Sequence, residues 1–238
     1  MNFDTQVRRI YKPLLFVACL LPAARLVAGA CGIAGQSLDT DPGDEILHTC
    51  GKWTLNFLLI TLCVTPLREL TGLNSLLRLR RMFGLFAFTY ACAHFLSYLL
   101  FDQGLDWRAI LEDIVKRPHI TIGFTALLLL LPLAVTSTNR MMRRLGRRWQ
   151  KLHRLIYVIA FLGVWHFYWQ VKADVREPLI YAGILTALLG YRWWRTGRRS
   201  APAVRAGVRA ASMLANSTRT RIMAVSRISS EATWRTSD

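Results

Sequence analysis

Hydrophobic and polar residues are arranged along this chain in long blocks. Six apolar blocks stand out: about Pro13 to Ala30, Trp53 to Pro66, Met82 to Phe101, Ile120 to Val135, Trp149 to Lys172 and Leu179 to Trp194. The second is short, and its helix is expected to begin nearer His48. A helix crosses the hydrocarbon of a bilayer with about 20 apolar residues. Helices are expected because hydrocarbon offers no partner to backbone N–H and C=O groups, and a helix pairs them internally. The expected fold is all-α: a polytopic membrane bundle of six transmembrane helices.

The linkers alternate in charge. The loop from Gly35 to Glu45 holds Asp39, Asp41, Asp44 and Glu45 and no Lys or Arg. The next, Leu67 to Arg81, holds Arg68, Arg78, Arg80 and Arg81. Asp102, Asp106, Glu112 and Asp113 follow the third block, offset by Arg108, Lys116 and Arg117. Within that loop WRAILEDIVK has helical spacing of apolar residues and predicts a short interfacial helix. Arg140, Arg143, Arg144, Arg147, Arg148 and Lys151 follow the fourth block. Because Lys and Arg favour the cytoplasmic side, this alternation predicts that both termini are cytoplasmic. Residues 1–12 are then a cytoplasmic N-terminus, 13–196 the membrane domain, and 197–238 a basic, disordered or loosely membrane-associated cytoplasmic tail. No domain boundary precedes the tail, and no repeat stands out.

Composition agrees with this reading. The chain has 238 residues, 53% of them hydrophobic, and a mean hydropathy of +0.28, which leaves little soluble mass. The net charge of +17 would suit a nucleic-acid binder, but the cations sit between apolar blocks and no nucleic-acid module is visible. The partner expected is the lipid bilayer, with no nucleic acid. The first block has an alternative reading. Arg8-Arg9 weakly resembles a twin-arginine signal, and Ala28-Gly29-Ala30-Cys31 resembles a cleavage region. Arg25 interrupts the apolar stretch near its end and favours a retained helix. Gly29, Gly32 and Gly35 follow no strand and do not match a dinucleotide fingerprint. None of the five cysteines forms a C-x-x-C pair; Cys31 and Cys50 flank the acidic loop and are a disulfide candidate if it faces an oxidising compartment.

The histidines change the picture most. Imidazole is costly in hydrocarbon and usually faces a partner or cofactor there. His94 in the third block and His166 in the fifth both lie past the middle, toward the acidic-loop side, on segments that run the same way. Two imidazoles at one depth on facing helices are what a b-type haem iron needs. His153 lies at the other end of the fifth block, ~20 Å from His166 along an ideal helix and turned roughly 140° from it. One haem held by both is excluded by distance, so His153 serves a second cofactor, a haem edge, or neither. The bland alternative is that each histidine only hydrogen-bonds a neighbouring helix. His48 and His119, near the outer ends of their blocks, read as interfacial residues. Trp165, Phe167, Tyr168 and Trp169 suit an interfacial aromatic belt as well as any relay.

The runs RRMFGLFAFTYACAH, LLLPLAVTS, RLGRRWQKLHRLIYVIAFLGVWHFYW and TLCVTPLRELTG, in that set, closely resemble the MsrQ family, formerly YedZ. The resemblance covers about Pro13 to Trp194, and the wider superfamily is the ferric-reductase-like transmembrane domain. It implies a haem b, an attributed FMN, and electron delivery across the bacterial inner membrane to a periplasmic molybdopterin partner, MsrP-like, that repairs methionine sulfoxide in oxidised proteins. The donor it implies is the quinone pool or a cytosolic flavin reductase, with arginines of the cytoplasmic face as FMN phosphate partners. In the superfamily two helices each carry a histidine pair about thirteen apart. Here the fifth block keeps the pair as His153 and His166, whereas the third keeps only His94, with Arg80 and Arg108 fourteen residues to either side. A nucleotide-binding domain is not expected, so an external donor is. Three function classes stand at this point: an electron-transfer subunit, a stand-alone ferric reductase, and a non-redox membrane anchor.

Overall fold

A computed structural model describes residues 3–33, 41–171, 174–196 and 198. The basic tail, Arg198 apart, and much of the acidic loop lie outside the described residues. Those described form helices and no strand. In order they are α1 (Phe3–Gln6), a π-helical turn Val7–Tyr11, α2 (Lys12–Ala30), α3 (Pro42–Thr71), a 3-10 turn Asn74–Leu76, α4 (Leu77–Ser97), a π-helical turn Tyr98–Asp102, α5 (Trp107–Lys116), α6 (Pro118–Val135), α7 (Asn139–Leu145), α8 (Arg147–Leu152), α9 (Leu155–Gln170) and α10 (176–196).

Local chemistry sets these boundaries. α3 starts where the Asp41 carboxylate accepts from the N–H groups of Gly43 (3.0 Å) and Asp44 (3.2 Å), with Pro42 in the first turn. It stops at Gly72, whose φ of +73° lets its N–H reach the Arg68 carbonyl. α5, the helix expected over WRAILEDIVK, is capped by Asp106. It buries Ile110 and Asp113 and leaves Trp107, Leu111 and Val115 exposed on its apolar arc. Asp113 accepts from Tyr98, Gln103 and Arg117, tying α5 to the end of α4.

Four described stretches are long and apolar enough to cross a membrane: Arg9–Ala30, Pro42–Thr71, Asn74–Asp102 and Pro118–Val135. The fifth apolar block is not one helix. It breaks into α8 and α9 at His153 and Arg154, so the straight-helix estimate of its histidine geometry does not hold. α9 alone has 16 residues.

α3 packs along α4, and α6 along α9, with α4 against α6 and α3 against α9 closing the bundle. Leu62 and Ile159 are among its most buried side chains, and Phe57 stacks among Phe83, Phe86 and Tyr90. Lipid tails are as apolar as leucine, so close packing and interhelical hydrogen bonds hold such helices together. α2 shows one. Pro22 lies inside it, and the Tyr90 hydroxyl accepts from Ala23 N–H (3.1 Å) and donates to Cys19 C=O (2.9 Å). The hydroxyl is inserted into a rung the helix would otherwise close itself. All five cysteines are free, Cys31 exposed and Cys50 buried. The chain divides into units Met1–Leu188 and Leu189–Asp238. In the second, Arg195 donates to the Tyr191 hydroxyl and Arg198 lies over the Trp194 ring.

Candidate functional site

The first unit contains two clefts. The first, of about 750 Å³, is lined by the early turns of α3 and α6 and the late turns of α4 and α9. His94 and His166 face each other across it with ring centres 6.1 Å apart and planes at 75°. The Nδ1 of His94 lies 2.8 Å from the Leu47 carbonyl, and the Nδ1 of His166 lies 2.7 Å from the His119 carbonyl. A carbonyl only accepts, so each Nδ1 carries the proton and each Nε2 keeps its lone pair. Neither Nε2 has a hydrogen bond among the described residues. A metal-ligating histidine is held in the same way, its second nitrogen donating to a carbonyl.

The donor set fits a haem. Two imidazole–metal bonds of about 2.0–2.1 Å span ~4 Å, and the half-widths of two rings make up the rest of the observed separation. No group of three or more His, Cys, Asp or Glu able to hold a metal ion exists among the described residues. A haem, whose macrocycle supplies the remaining donors, would need only these two imidazoles. Two glycines border the rings. A Cβ on Gly51 would fall 3.1 Å from the His94 ring, and one on Gly123 would fall 2.9 Å from the His166 ring. Apolar side chains including Leu55, Leu58, Leu130 and Ile159 form part of the wall, and polar ones including Thr54, Tyr98 and Gln170 also line it. At its rim Lys52 pairs with Glu177 (2.7 Å) and Arg117 with Asp113 (3.0 Å), and His48 Nε2 lies 3.2 Å from the Asp44 carboxylate.

His48 and His119, expected at the interface, also line this cleft. The His119 ring lies 6.5 Å from His166, nearly parallel, and its carbonyl is the Nδ1 acceptor.

His153 is elsewhere. It lines the second cleft, of about 890 Å³, at the end of the bundle formed by the start of α4, the end of α6 and the α8–α9 break. Its ring stacks on Trp149 at 3.9 Å, and Trp149 Nε1 donates to the Thr136 carbonyl. The Nδ1 of His153 lies 3.2 Å from the Trp149 carbonyl. Its Nε2 is buried and makes no hydrogen bond among the described residues, although the Leu133 carbonyl lies close by. Lys12, Arg78, Arg80, Arg81 and Arg154 line the same cleft. Of the cations near His153 in sequence, Arg154 lines the cleft, whereas Arg148 and Lys151 are not among the residues lining it. Leu130 lines both clefts.

Residues 50–164 match the family described as ferric reductase like transmembrane component. The chain is 51% identical over 201 residues to the protein-methionine-sulfoxide reductase heme-binding subunit MsrQ of Xanthomonas euvesicatoria pv. vesicatoria, covering 80% of this chain and 92% of that one. The protein of the same name from Xanthomonas campestris pv. campestris is 56% identical over 174 residues (70% and 80% of the two chains), and that from Herminiimonas arsenicoxydans 50% identical over 195 (80% and 88%). No solved structure matches the chain. With its long apolar helices and a transmembrane family domain, the chain is a multi-pass membrane protein, and it belongs to the MsrQ family.

Proposed function

We propose that this chain is the haem-b-binding, electron-transfer membrane subunit of a bacterial methionine sulfoxide reductase system. The observation that carries this reading is the imidazole pair across the first cleft, each Nδ1 held by a carbonyl and each Nε2 left free. His94 and His166 would hold the iron of one haem b between them. When bound, the haem supplies an iron that accepts and gives up one electron at a time. The chain's own residues fix the separation of the two donors, keep both lone pairs available, and set apolar side chains in the wall around them, which is one lever on potential.

The acceptor is a periplasmic molybdopterin reductase, MsrP-like, docked at the first cleft's end of the bundle. Reducing one sulfoxide to a thioether takes two electrons and two protons and releases water. A quinol, or a reduced flavin regenerated by a cytosolic flavin reductase, is the donor that is oxidised. His153 lies on the donor side. Its orphaned Nε2 and the cations around it support contact with a second carrier: FMN, a quinone or another haem. Opposite charges attract strongly in such a partly enclosed cleft, so an FMN phosphate or a haem propionate suits Arg78, Arg80, Arg81 and Arg154. The body at 13–196 spans the inner membrane six times with both termini in the cytoplasm, as the loop charges indicate.

The purified protein should show a Soret band and low-spin ferric haem, and once reduced should pass electrons to the purified reductase. A haem protein that reduces soluble ferric chelates and leaves the reductase oxidised is instead a stand-alone ferric reductase. A protein without a Soret band supports neither.

A further inference from the structure

The two ligand histidines are held by the same device. Each Nδ1 meets a backbone carbonyl 47 positions earlier in the chain: Leu47 for His94 and His119 for His166. One helical turn after each carbonyl stands a glycine, Gly51 on α3 and Gly123 on α6. The spacing has a geometric cause. A Cβ leans toward the N-terminus of its helix, so a side chain at one position covers the backbone a turn earlier. Any side chain at 51 or 123 would lie over the carbonyl that the imidazole must reach. The built Cβ positions show this, at 3.1 Å from both Cε1 and Nδ1 of His94 and 2.9 Å from both Cε1 and Nδ1 of His166. The paired helices repeat too: α3 seats the histidine of α4, and α6 seats the histidine of α9.

We propose that Gly51 and Gly123 are positioning residues for haem ligation, two copies of one carbonyl-and-glycine seat that sets the place and tautomer of each axial histidine. The inference rests on the reading of His94 and His166 as haem ligands and deepens it. The seats are not equal. A methyl at 123 lands closer than side-chain carbons approach one another in folded proteins, so the His166 ring or α6 must shift; a methyl at 51 requires a smaller displacement. Gly183 is the contrast. It lies within α10, lines neither cleft, and a Cβ there would meet nothing within 4 Å.

The test uses the full chain in detergent with Gly123→Ala, Gly51→Ala and Gly183→Ala, reading haem per protein, the ferric low-spin EPR g-values and the midpoint potential. Alanine is the better helix former, so lost helix propensity cannot produce a deficit. Gly123→Ala is expected to lose haem affinity by about 10–100-fold, the usual effect of disturbing a ligand's supporting partner. Gly51→Ala should keep its haem with displaced g-values and potential, and Gly183→Ala should match the parent. If Gly123→Ala does not accumulate, Gly51→Ala alone decides. A parent protein lacking bis-histidine low-spin haem overturns the reading of the ligands. A parent that has it, with seat variants indistinguishable from Gly183→Ala in all three measurements, overturns the seats and leaves the ligands standing.

Discussion

The two clefts are close in volume, about 750 and 890 Å³, and share Leu130, yet they are built on opposite electrostatic plans. In the first, neutral imidazoles are locked by backbone carbonyls, and Lys52, Arg117 and His48 at the rim each have a carboxylate beside them. In the second, Lys12, Arg78, Arg80, Arg81 and Arg154 line the cleft, and among the described residues no carboxylate does. A cleft whose charges cancel, with two rigid donors, is suited to hold one metal centre permanently. A cleft lined by cations of one sign favours an anion. Under the proposed function the first is a site of residence and the second a site of arrival, and the difference can be tested from both ends.

The largest effect is expected at the first cleft. His94→Ala or His166→Ala should abolish the bis-histidine low-spin spectrum and, with it, electron delivery to the reductase. The drop should be at least as large as the 10–100-fold loss in affinity or activity that follows damage to a ligand's supporting partners. If both single variants keep normal haem content and spectrum, the cleft holds something else. Orientation comes next. A reporter active only in the periplasm, fused after Thr196, should be silent, placing the arginine-rich cleft on the cytoplasmic side. An active fusion there contradicts six spans or their direction.

The second cleft should respond more mildly. Arg78→Gln removes a charge-assisted contact to an anionic group of the donor, worth about 1.5–3 kcal/mol. That corresponds to roughly a 10- to 100-fold rise in the half-saturating donor concentration. Raising ionic strength should imitate it, because exposed charge attraction is screened within about 10 Å at 0.1 M salt. His153→Ala should slow donor-driven reduction while leaving the dithionite-reduced spectrum of the first cleft unchanged. Stopped-flow traces with the two reductants distinguish this from a histidine that only anchors the interface, for which the donor-driven rate would be normal.

How much of this can be read in the chain depends on which part of the residue does the work. His94, His166 and His153 declare themselves because imidazoles are rare in apolar blocks, and helix rise converts sequence position into depth. The helix over WRAILEDIVK is legible from its periodicity. The seats are not. A carbonyl belongs to every residue, so Leu47 and His119 do the same job with unrelated side chains, and a repeat made of a carbonyl and a glycine leaves no visible period. The break at His153 and Arg154 is equally silent, because no proline or glycine marks it within an apolar run. The arginines of α4 and Lys12 are far apart in sequence, and only packing shows that they share a cleft with His153.

The smallest effect is predicted between the clefts, at Tyr90. It lines neither cleft, lies one turn before His94 on α4, and joins α4 to α2 through the rung beside Pro22. Tyr90→Phe keeps the ring among Phe57 and its neighbours and removes only the hydroxyl. Ala23 N–H and Cys19 C=O then lose their bridge in a setting without water to replace it. Interhelical hydrogen bonds in membranes average about 0.6 kcal/mol and reach about 1.7; one hydroxyl serving two backbone groups belongs near the upper figure. Thermal unfolding in detergent should show a lowered midpoint with haem content, EPR g-values and donor kinetics unaltered. An unchanged midpoint would mean that Ala23 and Cys19 re-pair directly and the proline had not opened the turn. A changed haem spectrum would mean that the joint between α2 and α4 reaches His94, so that the first cleft is held not by its two seats alone but by the helix outside them as well.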